Sequence, residues 1–389
     1  MRYQTIDRET LAPLAQAATD MPNLRIDEWQ TTTLSVQGQR TITRFAGIGQ
    51  AGSTPRPWSV IRKEIKAPER ADAIDHQVDC AFYWPRESLL YAAGVPQALP
   101  RELQRKGLRA PRCFGVVEPT PDLRWIWLED LQDRYAGKWP LAQYALAGYQ
   151  LGFFNGSYLV DNPLPTALWL TDNELRSESA SKVADLARLR DPAIWAHPLL
   201  RHAYPTPILA ELERLAADRE RFLAGAATFP RTFCHLDAHP GNMAAVEAAN
   251  GATETVLFDW AIAGYGAPGE EISRLIWAAL LDFKVELAEA ERLEAMVFES
   301  YLQGLADAGW QADPVQVRYA YLMSSVLIFT LEMEAVEHAF NADIAGMEEY
   351  YGWPQARLIE QNVQVTYLLL ERAEALRAML ESHSWGVVE

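Results

Sequence analysis

His235-Leu-Asp-Ala-His-Pro-Gly-Asn242 is followed 17 residues later by Asp259-Trp260, at the end of an apolar run. Phosphoryl transfer to a hydroxyl needs a carboxylate to orient the acceptor, and an amide and a second carboxylate to hold magnesium beside the γ-phosphate. Asp237, Asn242 and Asp259 carry those chemistries in that order. Pro240-Gly241 interrupts any regular element, so Asp237 belongs on a loop. Met243–Val246 and Thr255–Phe258, separated by Asn250-Gly251, read as two short strands of a hairpin. Such a hairpin returns Asp259 towards Asn242, where two oxygen donors can share a hard cation that prefers oxygen ligands. Asp237 is then left for the acceptor hydroxyl.

Two other readings compete. Asp and Asn favour turns for their own hydrogen-bonding reasons, and Asp259 could simply end a strand. His235-x-Asp237-x-His239 could offer nitrogen and oxygen ligands to zinc in a hydrolase. The remaining histidines, His76, His197, His202, His338 and His383, form no second ligand-like cluster. His235 reads as a buried, hydrogen-bonded residue that shapes the loop, and His239 as structural or peripheral.

The loop resembles that of the aminoglycoside phosphotransferase and choline kinase family, whose H-x-D-x-x-x-x-N pattern is matched by His235, Asp237 and Asn242. Asp259 then stands at the position equivalent to the DFG aspartate, with Trp260 replacing the usual aromatic and glycine. The resemblance implies an α+β, bilobal protein-kinase-like fold with a small antiparallel-sheet N-lobe and a large, mainly helical C-lobe. It also implies ATP or GTP as donor, with Mg2+, and a small hydroxyl-bearing acceptor. The match is specific over residues 231–260 and looser from about 30 to 285. Glu271 lies where the family commonly has an Asp that buttresses the catalytic loop, and Glu departs from that pattern by a longer side chain.

Kinase folds set a strand lysine against the nucleotide phosphates and hold it with a helix glutamate. Trp58–Ile65 reads as that strand, with Lys63 sharing a face with Ile61 and Ile65. Pro85 and Gly94 bracket the next helix, whose first-turn acid Glu87 is the expected partner of Lys63. Gly47-Ile-Gly-Gln-Ala-Gly52 matches G-x-G-x-x-G, but Ser53-Thr-Pro-Arg-Pro57 forbids the helix a dinucleotide loop requires. The expected order is strand Thr31–Gln37, a turn at Gly38 that covers the phosphates, strand Arg40–Phe45, then the glycine segment as an outer loop. Cys113–Val117 and Leu123–Leu128 read as further strands. Glu129-Asp130-Leu131 falls at the crossover between lobes, where the backbone of Glu129 and Leu131 can meet the base. The expected domains are 1–130 and 131–389.

A net charge of −17 argues against nucleic acid or an anionic membrane as partner and would draw a cationic acceptor. Cys80, Cys113 and Cys234 lack metal-ligand spacing and cannot pair completely, which favours a reducing cytoplasm. The N-terminus shows no apolar targeting core, and the apolar stretch from Ala320 to Leu331 is too short to span a bilayer. Helical periodicity covers Pro140–Tyr158, Asn173–Leu189, Pro207–Ala224, Glu270–Phe283, Glu286–Asp307, Pro314–Phe340 and Pro354–Glu381. Trp277, Asp282, Glu332, Glu334 and Trp353 are candidates to line an acceptor pocket. The function expected is a small-molecule kinase; a catalytically silent nucleotide-binding relative is the alternative, with metal-dependent hydrolysis behind it.

Overall fold

A computed structural model describes residues 6–70, 73–204, 208–248, 251–331, 333–383 and 385. The strands in chain order are β1 (Arg25–Ile26), β2 (Gln30–Gln37), β3 (Arg40–Ala51), β4 (Thr54–Lys66), β5 (Leu108–Arg109), β6 (Cys113–Thr120), β7 (Leu123–Glu129), β8 (Thr232–Cys234), β9 (Met243–Glu247), β10 (Thr253–Leu257) and β11 (Gly264–Gly266). The chain divides into two compact units. One comprises residues 1–136, 167–170 and 243–262, and the other 137–166, 171–242 and 263–389. This differs from the break expected after residue 130. The β9–β10 hairpin joins the first unit because β10 adds in parallel to β5, pairing Thr255 with Leu108.

The first unit is an antiparallel sheet in the order β1-β3-β4-β7-β6, with β2 also on β3. One face of the sheet packs Phe45, Trp58, Val60 and Trp127 against Leu11, Leu14 and Ala15 of the Arg8–Thr19 helix. Gly38 takes φ +53 in the tight β2–β3 turn, where nothing would obstruct a Cβ. The glycine segment departs from the expected outer loop. Gly47 to Ala51 continue β3 and pair with Thr54 to Trp58 of β4, with the reversal at Gly52. Pro55 and Pro57 are tolerated because β4 gains its second neighbour, β7, only from Val60 onward, so an edge is free where prolines lack donors.

The second unit is mainly helical. Its Leu141–Val160 and Ala290–Asp307 helices approach closely through glycines: a Cβ on Gly152 would fall 2.1 Å from the Tyr301 carbonyl oxygen, and one on Gly304 2.0 Å from that of Tyr149. The helix expected over Pro314–Phe340 is broken. A Pro314–Ser325 helix runs into a π turn at Val326–Thr330, and Met333 adopts φ +56 before Glu334–Ala339. The apolar side chains from Ala320 to Leu331 are buried within this unit. They form core packing.

Candidate active site

In the first unit, β4 delivers Lys63 to the face opposite the Trp58 core. Its ammonium lies 2.5 Å from Glu87 Oε2 and 2.7 Å from Asp259 Oδ1. Lys63 and Glu87 are almost fully buried, whereas a quarter of the Asp259 side chain is exposed. Burial pushes the Glu87 carboxyl up and Lys63 opposes that shift. The charge pair thus compensates desolvation that neither partner would tolerate alone.

Glu87 sits in the first turn of the Arg86–Ala92 helix. Its neighbour Arg86 is fully buried and donates to the carbonyls of Cys80 (2.5 Å), Trp169 (2.5 Å) and Ala261 (3.3 Å). That guanidinium ties the glutamate's helix to the chain just beyond Asp259. Asp259 itself has φ +62, a left-handed conformation that Asp accommodates better than most residues.

Antiparallel register extends this face. Ile42 lies opposite Lys63 and Arg44 opposite Ile61, so all four share one side of the sheet. Arg44 pairs with Asp130 at 2.5 Å, and both line a cavity of about 490 Å³ with Ala46, Ser59 and Glu129. The Glu129 amide donates to the Arg112 carbonyl at 2.9 Å. Its carboxylate accepts from Arg109 at 2.7 Å and the Arg112 amide at 3.0 Å. Those bonds close the end of β7 on the segment leading into β6. Leu131 packs partly buried against Ala244, Val246 and Val256.

In the second unit, β8 leads into the loop that carries Asp237 and Asn242. Leu236 takes φ +64. The Asp237 amide donates to His235 Nδ1 at 3.3 Å, and the Asn242 amide nitrogen donates to Asp237 Oδ2 at 2.8 Å and to its carbonyl at 3.1 Å. This commits the Asn242 nitrogen inward and leaves its oxygen as the atom suited to a hard cation. His235 is fully buried, and His239 Nε2 stands 3.9 Å from Asp237 Oδ1. Among the described residues no group of three His, Cys, Asp or Glu side chains is arranged to hold a metal ion.

Glu271 meets the loop from beneath. Oε1 accepts from the amides of His235 (2.5 Å) and Leu236 (3.2 Å), and Oε2 from Asn155 Nδ2 (2.9 Å). Burial raises its pKa to about 7 against the opposing pull of these three donors. The longer side chain therefore reaches the loop backbone.

Arg274, one helical turn on, binds Glu174 at 2.8 Å and also Glu178. Burial alone would weaken its charge, but Glu178, Glu174 and Asp237 outweigh that and hold it cationic. Of the acceptor candidates, Trp277 is core, Asp282 caps the Ile272–Leu281 helix, Glu334 contacts Asn362 at 3.3 Å, and Trp353 carries the Arg357 guanidinium at 4.1 Å. Glu332 lies outside the described residues. Sequence reasoning missed Arg44, Arg86, Asn155 and Arg274. Asn155 left one trace, an amide within the apolar run Phe153-Phe154-Asn155.

A sheet lysine braced by a helix glutamate in the first unit, and a loop with Asp237 and Asn242 in contact in the second, accord with a kinase-like phosphotransferase. The chain matches the model of the phosphotransferase enzyme family over residues 97–311, more than half its length, and belongs to that family. Among solved structures it is similar to a microcompartment-associated aminopropanol kinase (10% identity over 93% of this chain and 98% of that one, TM-score 0.50). It is also similar to the amicoumacin kinase hAmiN in complex with AMP-PNP, Ca2+ and Ami (14% identity, 93% and 97%, TM-score 0.49). Aminoglycoside phosphotransferase APH(3'')-Id from Streptomyces rimosus is a third (18% identity, 83% and 99%, TM-score 0.43). At 10% identity the likeness to the aminopropanol kinase bears on the fold alone. A comparison with curated proteins finds no match.

Proposed function

We propose that this phosphotransferase moves the γ-phosphoryl group of a nucleoside triphosphate, ATP or GTP, to a hydroxyl of a small molecule. The observation that carries this reading is the pairing of Asn242 with Asp237 at 2.8 Å, which leaves the Asn242 oxygen available beside a carboxylate. Asp237 orients the acceptor hydroxyl and takes its proton as the new O–P bond forms. The bond from Pγ to the bridging oxygen breaks, and the nucleoside diphosphate leaves. Lys63, held by Glu87, contacts the donor phosphates. Asn242 and Asp259 have the oxygen donors suited to magnesium, which would neutralise charge on the phosphate oxygens. The turn at Gly38 covers the phosphate end, Leu131 lies at the base end, and His235 and Glu271 shape the loop.

The net charge of −17 favours an acceptor that carries a positive charge. Free thiols at all three cysteines accord with a cytoplasmic setting. The test is nucleoside diphosphate release across a panel of amino alcohols, sugars, choline-like amines and antibiotics, with Asp237→Asn as control. Nucleotide binding without transfer to any acceptor would instead support a silent binding protein.

A further inference from the structure

The Glu271 carboxylate belongs to a longer buried chain of hydrogen bonds whose polarity is settled at both ends. The Gly269 amide can only donate, and it donates to the Tyr301 hydroxyl at 3.0 Å. The hydroxyl's single proton then goes to Asn155 Oδ1 at 2.7 Å. With its oxygen so engaged, the Asn155 amide presents its NH2 group to Glu271 Oε2 at 2.9 Å and to the Phe233 carbonyl at 3.1 Å. The reverse orientation would set the amide oxygen against a carboxylate and a carbonyl, with no proton between them. Glu271 Oε1 completes the chain by accepting the His235 and Leu236 amides. Asn155, Glu271 and Tyr301 are each 1% exposed or less, so water does not substitute for a lost partner.

We propose that Tyr301 and Asn155 are positioning residues for Asp237: the hydroxyl orients the amide, the amide orients the Glu271 carboxylate, and the carboxylate holds the two amides that precede Asp237. The role assigned to Asp237 rests on the phosphotransferase reading above; the hydrogen-bond chain does not. Leu236 shows why such a hold is needed, because its left-handed backbone, φ +64, is unfavourable for a Leu without outside support. The glycine contacts between the Leu141–Val160 and Ala290–Asp307 helices supply the close approach that lets Tyr301 reach Asn155.

The chain works with Glu271 ionised. A proton on either oxygen converts an acceptor into a donor facing an N–H, so one of the three bonds is lost. The other groups around the carboxylate are Cys234 and His235 from β8 and the loop, Tyr301 from its helix, and Glu270 from the same turn. Arg231 neutralises Glu270 at 3.1 Å. The raised Glu271 pKa, about 7, places the proton-dependent change near neutrality.

The experiment is Tyr301→Phe in the full chain, which removes one hydroxyl and keeps the ring. With nucleotide Kd within about two-fold of wild type, kcat should fall on the order of 10-fold, the upper end of the scale for one lost buried hydrogen bond between neutral groups. The acid limb of the kcat–pH profile should move to higher pH, because the carboxylate loses an oriented donor. A folded variant with unchanged kcat and an unmoved acid limb overturns the proposal. A second measurement needs neither the variant nor turnover: hydrogen–deuterium exchange of the His235 and Leu236 amides in wild type between pH 5.5 and 8.5. After correction for intrinsic rates, protection should fall on the acid side around pH 7, and protection independent of pH overturns the proposal. If exchange behaves as expected while no acceptor is phosphorylated, the functional reading fails and the hydrogen-bond chain stands.

Discussion

Lys63 and Asp259 are joined at 2.7 Å inside one compact unit although they lie far apart in the chain, and Glu87 closes on the same ammonium at 2.5 Å. One cation thus answers two carboxylates. Removing it leaves buried Glu87 uncompensated.

Lys63→Met should therefore lower both nucleotide affinity and stability. The expected loss is about 3 kcal/mol near pH 8, the scale for breaking a buried pair from one side. It should shrink towards pH 5, because Glu87, whose pKa burial already raises, can then take a proton. Urea denaturation at the two pH values checks this, and a pH-independent loss would count against it.

Asp237→Asn keeps a hydrogen-bonding partner for Asn242 but cannot accept the acceptor's proton. A fall in kcat of roughly 10²- to 10⁴-fold is expected, with nucleotide affinity measured by calorimetry near the wild-type value. Retained turnover would remove Asp237 from the role of base.

Glu271 links pH to stability with a definite sign. Its folded pKa of about 7 exceeds the unfolded value of 4.5. The favourable contribution is complete below about pH 4.5 and is lost as pH rises through 7. Relative to Glu271→Gln, the wild type should lose up to about 3 kcal/mol between pH 4.5 and 8. Parallel denaturant titrations across that range measure the difference. The same ionisation that costs stability sustains the three accepted hydrogen bonds.

Gly152→Ala places a methyl where the Tyr301 carbonyl oxygen stands 2.1 Å away. Backbone cannot swing aside as a flexible side chain can, so the two helices must separate, at an expected cost of about 1–3 kcal/mol. Because Asn155 lies one turn further along that helix, kcat should fall as well. Thermal unfolding and steady-state kinetics on the same preparation test both effects. Gly38→Ala, at a turn with open space around it, is the comparison: strain from its positive φ alone should cost about 1 kcal/mol.

Much of the site was legible because its chemistry lies in short segments. Asp237 and Asn242 are five residues apart on one loop, and their contact follows from local turns. Lys63 and Glu87 were found because a strand alternates its faces and a helix begins at proline. The error over Gly47 to Gly52 arose where local signals conflict with pairing: two prolines argue against a strand, and only the absence of β7 beside that part of β4 makes them acceptable. The partners of the Glu129 amide and carboxylate, Arg112 and Arg109, likewise come from other segments and are not legible in the local sequence.

The sequence by itself determined which atoms can accept a proton, hold a phosphate or favour magnesium, since residue type and short-range spacing set those properties. Tertiary structure decided the surroundings of those atoms. It paired Lys63 with two distant carboxylates, committed the Asn242 nitrogen to Asp237, and oriented Glu271 through Asn155 and Tyr301. Hydrogen-bond direction and desolvation depend on neighbours drawn from separate elements, and no local pattern in a chain encodes which donor will face which acceptor once water is gone.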